Sequence, residues 1–161
     1  MIILGIDPGI TAAGYSLIDC RANKIKILAA GILKVEEMEQ QDRLYSLHKE
    51  LKHILDDWRP QVLAVEKLFF TKNQKTAIQV AEARGVILLT TALAKLKVYE
   101  YTPLEVKKIV TGDGSADKLQ LRKMIEITFP ETKKWKVKDD VFDALGIALT
   151  CFYLEKPERK I

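Results

Sequence analysis

Ile2-Ile3-Leu4-Gly5-Ile6-Asp7-Pro8-Gly9 is an apolar run that stops at a carboxylate. Ile2 to Ile6 reads as a buried strand. Asp7-Pro8-Gly9 reads as a turn, since these residue types dominate turns. Working outward, Gly14-Tyr15-Ser16-Leu17-Ile18 alternates and reads as a second strand, and Lys24 to about Leu33 reads as a third. Only short polar turns separate them, which predicts an antiparallel meander.

The next stretch changes period. Leu44, Leu47, Leu51, Ile54, Leu55 and Trp58 follow a 3.6-residue repeat, predicting a helix over about 39–58 that Pro60 ends. Val62-Leu63-Ala64-Val65 is apolar enough to lie in the middle of a sheet, and it stops at Glu66. A helix from about Gln74 to Leu96 carries small residues at Ala77, Ala81 and Gly85. A short strand follows over Val98 to Tyr101, then a helix opened by Pro103, where a missing N–H costs nothing. Ser115 reads as the cap of a further helix that runs to about Phe129. Residues 130–138 read as a basic loop around Trp135, and a last helix spans about 139–154. The order is a mixed α/β layer with a hairpin-built edge.

At 161 residues the chain suits one domain with a real core, expected over residues 1–161. It is 48% hydrophobic and 30% charged, which excludes a disordered chain. Net charge is +4, and the excess sits outside the candidate acids, as suits a polyanion partner. Cys20 and Cys151 are the only cysteines; with no secretory signal at the start they read as free thiols in a reducing cytoplasm. No apolar run reads as approaching the roughly 20 residues that cross a bilayer, so no membrane role is expected. His48 and His53 share one helical stretch without cysteines, which argues against zinc.

The chemistry lies in the carboxylates. If the strands before Asp7 and Glu66 are parallel neighbours, both side chains emerge at one end of the sheet. Asp140 and Asp143, at i,i+3, share one face of the last helix. Asp139 points about 100° away from Asp140 and lacks that spacing. Taken singly, Asp7 is a turn residue, Glu66 a solvated strand end, and Asp140 a first-turn acid favoured by the helix dipole. Jointly, four carboxylates repel one another and call for divalent cations, with hard oxygens favouring Mg²⁺ or Mn²⁺.

The chain resembles the RuvC family of Holliday junction resolvases over essentially its full length. The resemblance rests on Ile3 to Gly9 with Gly14-Tyr15, and on Ala64-Val65-Glu66-Lys67-Leu68-Phe69 with Lys72-Asn73. Ala83-Arg84-Gly85-Val86, Gly112, Gly114-Ser115-Ala116, Lys118 and the run from Asp140 to Ala148 complete it. It implies a ribonuclease-H-like fold, a five-stranded mixed sheet flanked by α-helices. The implied enzyme is a crossover junction endodeoxyribonuclease, a homodimer that cuts two like strands of a four-way DNA junction in recombination and repair. Asp7, Glu66, Asp140 and Asp143 fall on the family's catalytic acids, expected to hold two Mg²⁺ per subunit, with Mn²⁺ as a substitute. Nicks with 5′-phosphate and 3′-hydroxyl ends would follow. Phe69 falls on an aromatic that stacks on a junction base, and Lys72, Lys107 and Lys118 on DNA-binding positions. The small-residue helix is the implied dimer interface, with packing on the sheet as its other reading. A branch-migration helicase complex of the RuvA and RuvB type is the implied partner.

Ile10 and Thr11 depart from the Ser-Arg or Ser-Lys of many relatives, and the loop 133–138 is unusually basic. Arg122 and Lys123 read equally as DNA contacts or as a solvated face, and Trp135 as a nucleic-acid contact or a packing residue. Three other readings compete. A ribonuclease-H-like nuclease acting on RNA or structured rRNA precursors would share Asp7 and Glu66. A sugar-kinase or actin-like ATPase opens similarly but needs a duplicated domain. A non-catalytic junction binder would not need all four acids.

Overall fold

The computed structural model describes residues 1–9, 12–21, 24–34, 39–67 and 74–155. The elements run β1 (Ile2–Asp7), β2 (Ala12–Arg21), β3 (Lys24–Lys34), α1 (Gln40–Trp58), β4 (Val62–Glu66), α2 (Gln74–Leu93), β5 (Lys97–Tyr101), α3 (Pro103–Thr111), α4 (Lys118–Thr128), a 3₁₀ turn (Pro130–Lys134) and α5 (Asp139–Leu154). The sheet order is β3-β2-β1-β4-β5. β1, β2 and β3 form the expected antiparallel meander. β4 pairs parallel with β1 on one side and with β5 on the other. This is the five-stranded mixed sheet that the resemblance implies.

Strand alternation divides the core between the two sheet faces. Ile3, Ile18, Ala64 and Tyr101 point toward α5, where they meet Phe142, Leu145 and Leu149 together with Val106 of α3 and Ile125 of α4. Leu4, Ile6, Leu17, Leu63 and Val65 point the other way, against Leu47, Leu51 and Leu55 of α1 and Ala83 and Ile87 of α2. β1 is central and is buried from both sides.

α5 lies unusually close to the hairpin of β1 and β2. A Cβ on Gly5 would sit 2.4 Å from the Ala144 carbonyl oxygen, and one on Gly14 would sit 2.0 Å from the Asp140 carbonyl oxygen. Either is far inside van der Waals contact. The buried Ser16 hydroxyl donates to the Ala144 carbonyl at 2.9 Å. Two missing side chains and one hydrogen bond therefore press the first turns of α5 onto the sheet.

Four sequence expectations need correction. Ser115 does not cap α4; its N–H and hydroxyl both donate to Asp113. Asp117 is the cap, in a reciprocal box with Gln120, because its carboxylate reaches the third N–H of the helix. The basic loop after Phe129 is partly helical, over Pro130–Lys134. α2 qualifies by length and composition as a membrane span, with mean hydropathy 1.2 over Thr76–Leu93. The reason is a second apolar face. Ala83 and Ile87 pack inward, whereas Ile78, Leu89 and Leu93 are 60%, 61% and 70% exposed. α2 also stops at Leu93, short of Leu96, with Lys95 in the left-handed region.

Substituting Gly14→Ala forces α5 away from β2. We expect it to lower folding stability by about 1–3 kcal/mol, read as a lower midpoint in chemical denaturation. An unchanged midpoint would mean that the contact is not tight.

Candidate metal centre and nucleic-acid face

Asp7 and Glu66 end parallel neighbouring strands. Gly5 pairs with Ala64 and Ile6 with Val65, so one further step sets Asp7 beside Glu66. Both lie on the α5 side of their strands, in step with Ile3 and Ala64. The first turn of α5 comes down on that edge, with Asp139 and Asp140 at its start. One carboxylate oxygen from each of Asp7, Asp140 and Asp143 lies within 4.8 Å of the others, and all three residues are half-buried. Glu66 is half-buried and shares a side-chain hydrogen bond with Asp7. Asp139 is exposed, as its spacing required.

The electrostatics follow from this crowding. Burial, the shared hydrogen bond with Glu66 and the charges of Glu66, Asp143 and Asp140 push the Asp7 carboxyl up to about 9. Asp143 is also held above its ordinary value, by burial and by Glu66 and Asp140, against the lowering pull of Lys118. Lys118 Nζ lies 3.6 Å from Asp143 Oδ2, and that neighbour raises the lysine pKa. A set of hard oxygens that suppress one another's ionisation fits divalent cations. With no histidine or cysteine among them, these ligands do not suit zinc.

The four acids line one cleft of about 300 Å³ whose apolar wall includes Val106, Leu121 and Ile147. Lys107 and Lys118 stand at the same cleft. Each hangs from a helix whose start is locked. Thr102 and Glu105 form a reciprocal capping box for α3, with Pro103 in its first turn, and Asp117 and Gln120 do the same for α4. The helix starts therefore hold a cationic margin beside an anionic floor.

Other expected residues fall elsewhere. The Arg122 guanidinium stacks over the Phe142 ring at 4.3 Å and pairs with Glu126 at 2.9 Å, so it packs within the protein. Lys123 is exposed and outside the cleft. Trp135 is partly buried against the α5-side core. His48 Nδ1 meets the Thr90 hydroxyl at 2.8 Å. Cys20 and Cys151 are free and buried, and burial pushes their thiols up to about 12 and about 11. Phe69, Lys72, Ile10 and Thr11 lie outside the described residues. The Lys118–Asp143 pair was not foreseen, because nothing local links residues so far apart in the chain.

The model of the family described as crossover junction endodeoxyribonuclease RuvC matches residues 3–151. The chain is 45% identical over 152 residues to the crossover junction endodeoxyribonuclease RuvC of Halothermothrix orenii, covering 92% of this chain and 90% of that one. It is 43% identical over 150 residues to the protein of that name from Natranaerobius thermophilus, covering 92% of each. Its backbone is similar to that of T. thermophilus RuvC in complex with a Holliday junction substrate. The TM-score is 0.87 at 32% identity, covering 95% of this chain and 94% of that one.

Asp7 gives a signed prediction in pH. Its carboxyl ionises near 3.8 ordinarily and near 9 when folded. Between those values the folded protein binds more protons than the unfolded chain, so its stability falls as pH rises through that window. Without divalent ions, the melting midpoint of the parent should decline from about pH 5 to 9 more than that of Asp7→Asn. Added Mg²⁺ should raise the parent's midpoint more at pH 8.5 than at pH 6, because metal and proton compete. Parallel pH profiles for parent and variant would contradict the assignment.

Proposed function

The chain belongs to the RuvC family of crossover junction endodeoxyribonucleases, and we propose that Asp7, Glu66, Asp140 and Asp143 are the acids with which it cuts four-way DNA junctions. It is a Holliday junction resolvase, a nuclease of recombination and repair. The convergence of acids from β1, β4 and α5 in one cleft carries this reading of the site.

The four carboxylates would hold two Mg²⁺ ions, with Mn²⁺ able to replace them. Ions bound there would supply an activated water and charge stabilisation at the departing 3′ oxygen, which would leave a 5′-phosphate and a 3′-hydroxyl. Asp7, central in the sheet beside Glu66, would give up its proton on binding a cation. Lys118 is well exposed and only loosely paired, so it can turn from Asp143 to a phosphate oxygen. Lys107 holds the strand from α3, and the apolar wall limits water around the scissile group. Phe69 is assigned to base stacking and Lys72 to the backbone, on the strength of the family motif alone.

Symmetric cutting needs two sites related by a two-fold axis. We assign the homodimer interface to the outer face of α2. Ile78, Leu89 and Leu93 are exposed there, and among the described residues Gly85 has nothing within 4 Å of where a Cβ would lie. A second copy of α2 can approach closely at such a position. We take residues 1–161 as one nuclease domain working in the cytoplasm beside a helicase complex of the RuvA and RuvB type.

With Mg²⁺ present, Asp7→Asn and Asp143→Asn should bind a synthetic four-way junction with parental affinity and leave it intact. Robust cleavage by both would refute the metal site. Faster cutting of an RNA–DNA hybrid than of a junction by the parent would favour the RNA-directed alternative. Leu89→Glu should halve the mass seen in sedimentation; a parental mass would move the interface elsewhere.

A further inference from the structure

Arg84 belongs to a motif, Ala83-Arg84-Gly85-Val86, that the metal centre does not use. It sits midway along α2, on the sheet face opposite the carboxylate cleft. Its Nε donates to the Glu66 backbone carbonyl at 3.4 Å, and its terminal nitrogen pairs with the Glu100 carboxylate. The arginine side chain is 14% exposed and that of Glu100 is 38%.

Sheet register explains why one side chain reaches both groups. Glu100 pairs with Val65, and Tyr101 with Glu66. Val65 points toward α1 and α2, so Glu100 points there too. Tyr101 and Glu66 point toward α5. Arg84 therefore grips Glu100 and the main chain at Glu66 from behind, while the Glu66 carboxylate reaches the cleft in front. The Lys67 N–H donates to the Tyr101 carbonyl at 2.8 Å, holding the next peptide group as well. A guanidinium suits this place because its planar fork serves two acceptors at once, which a lysine ammonium does not do in fixed geometry.

We propose that Arg84 is a positioning residue for the metal centre. Anchored by Glu100, it sets the end of β4 from the α2 side and so fixes where the Glu66 carboxylate stands relative to Asp7. The same helix carries the outward apolar face, so seating of a second copy on α2 bears on the strand end through one side chain. This inference rests on the assignment of Glu66 to the metal site. Groups that orient ligands from behind typically matter 10–100-fold in metal affinity or activity.

The test uses full-length protein, a synthetic junction at saturating concentration and a Mg²⁺ titration of the cleavage rate. Arg84→Gln should lower kcat about 10-fold or more and raise the Mg²⁺ concentration for half-maximal rate by about 10-fold. Junction affinity measured without metal, and the sedimenting mass, should stay parental. Glu100→Gln, which keeps an acceptor for the guanidinium, should give a smaller shift in the same direction. It carries the test alone if Arg84→Gln does not fold. A parental Mg²⁺ midpoint and kcat in the folded variants would overturn the proposal, as would a fall in junction affinity or dimer mass in step with the rate. Asp143→Asn is assayed alongside. If it is inactive while Arg84→Gln is parental, only the role of Arg84 fails; if Asp143→Asn cleaves, the metal-site reading itself fails.

Discussion

The close seating of α5 on the β1–β2 hairpin is the constraint on which the site depends. Asp7 and Asp140 belong to opposite ends of the chain, and no local force brings them together. What does so is the absence of side chains at Gly5 and Gly14, where a Cβ would overlap carbonyl oxygens of α5. The Ser16 hydroxyl fixes the helix from the same strand by taking up the Ala144 carbonyl. The apolar residues of α5, from Val141 to Cys151, then bury it against the sheet. Hydrophobic burial supplies the force, and the two glycines set the distance.

That distance has an electrostatic cost. The helix start delivers Asp140 and Asp143 to a strand edge that already holds Asp7 and Glu66, and burial limits how far water screens them. The helix dipole offsets part of this, since the N-terminus of α5 faces the acids, and Lys118 offsets more from α4. Even so, the Asp7 carboxyl is held protonated well above the usual range. Strain of this kind at one end of a well-packed sheet is expected of a site built for cations rather than for stability. The locked starts of α3 and α4 keep Lys107 and Lys118 at the margin, where they can meet phosphate without filling the cation cavity.

Much of this was legible in the chain because the signals were local. Apolar runs that end in an acid marked β1 and β4, and the i,i+3 spacing of Asp140 and Asp143 marked a helix face. The parallel neighbourhood of β1 and β4 was a condition in the sequence, and the register supplies it. The cap of α4 is Asp117 rather than Ser115, and the chain carries the signal: Gln120 stands three residues after Asp117, whereas Lys118 stands three after Ser115. The outer face of α2 was hidden because small residues serve equally for packing inward and for leaving room outward. Arg122 read equally as a DNA contact or as part of a solvated face, and in the fold it packs over the Phe142 ring and pairs with Glu126. Arg84 had no readable role, because its partners lie on two other strands and on the reverse of the sheet.

The central claim is that Asp7, Glu66, Asp140 and Asp143 form one cation cage at the end of the central strands. A crystal grown with Mn²⁺ and measured at the manganese edge tests it without reference to activity. Two anomalous peaks are expected in the cleft, among the carboxylates of Asp7, Glu66, Asp140 and Asp143. Peaks found elsewhere, or a cleft without manganese at millimolar concentration, would contradict it.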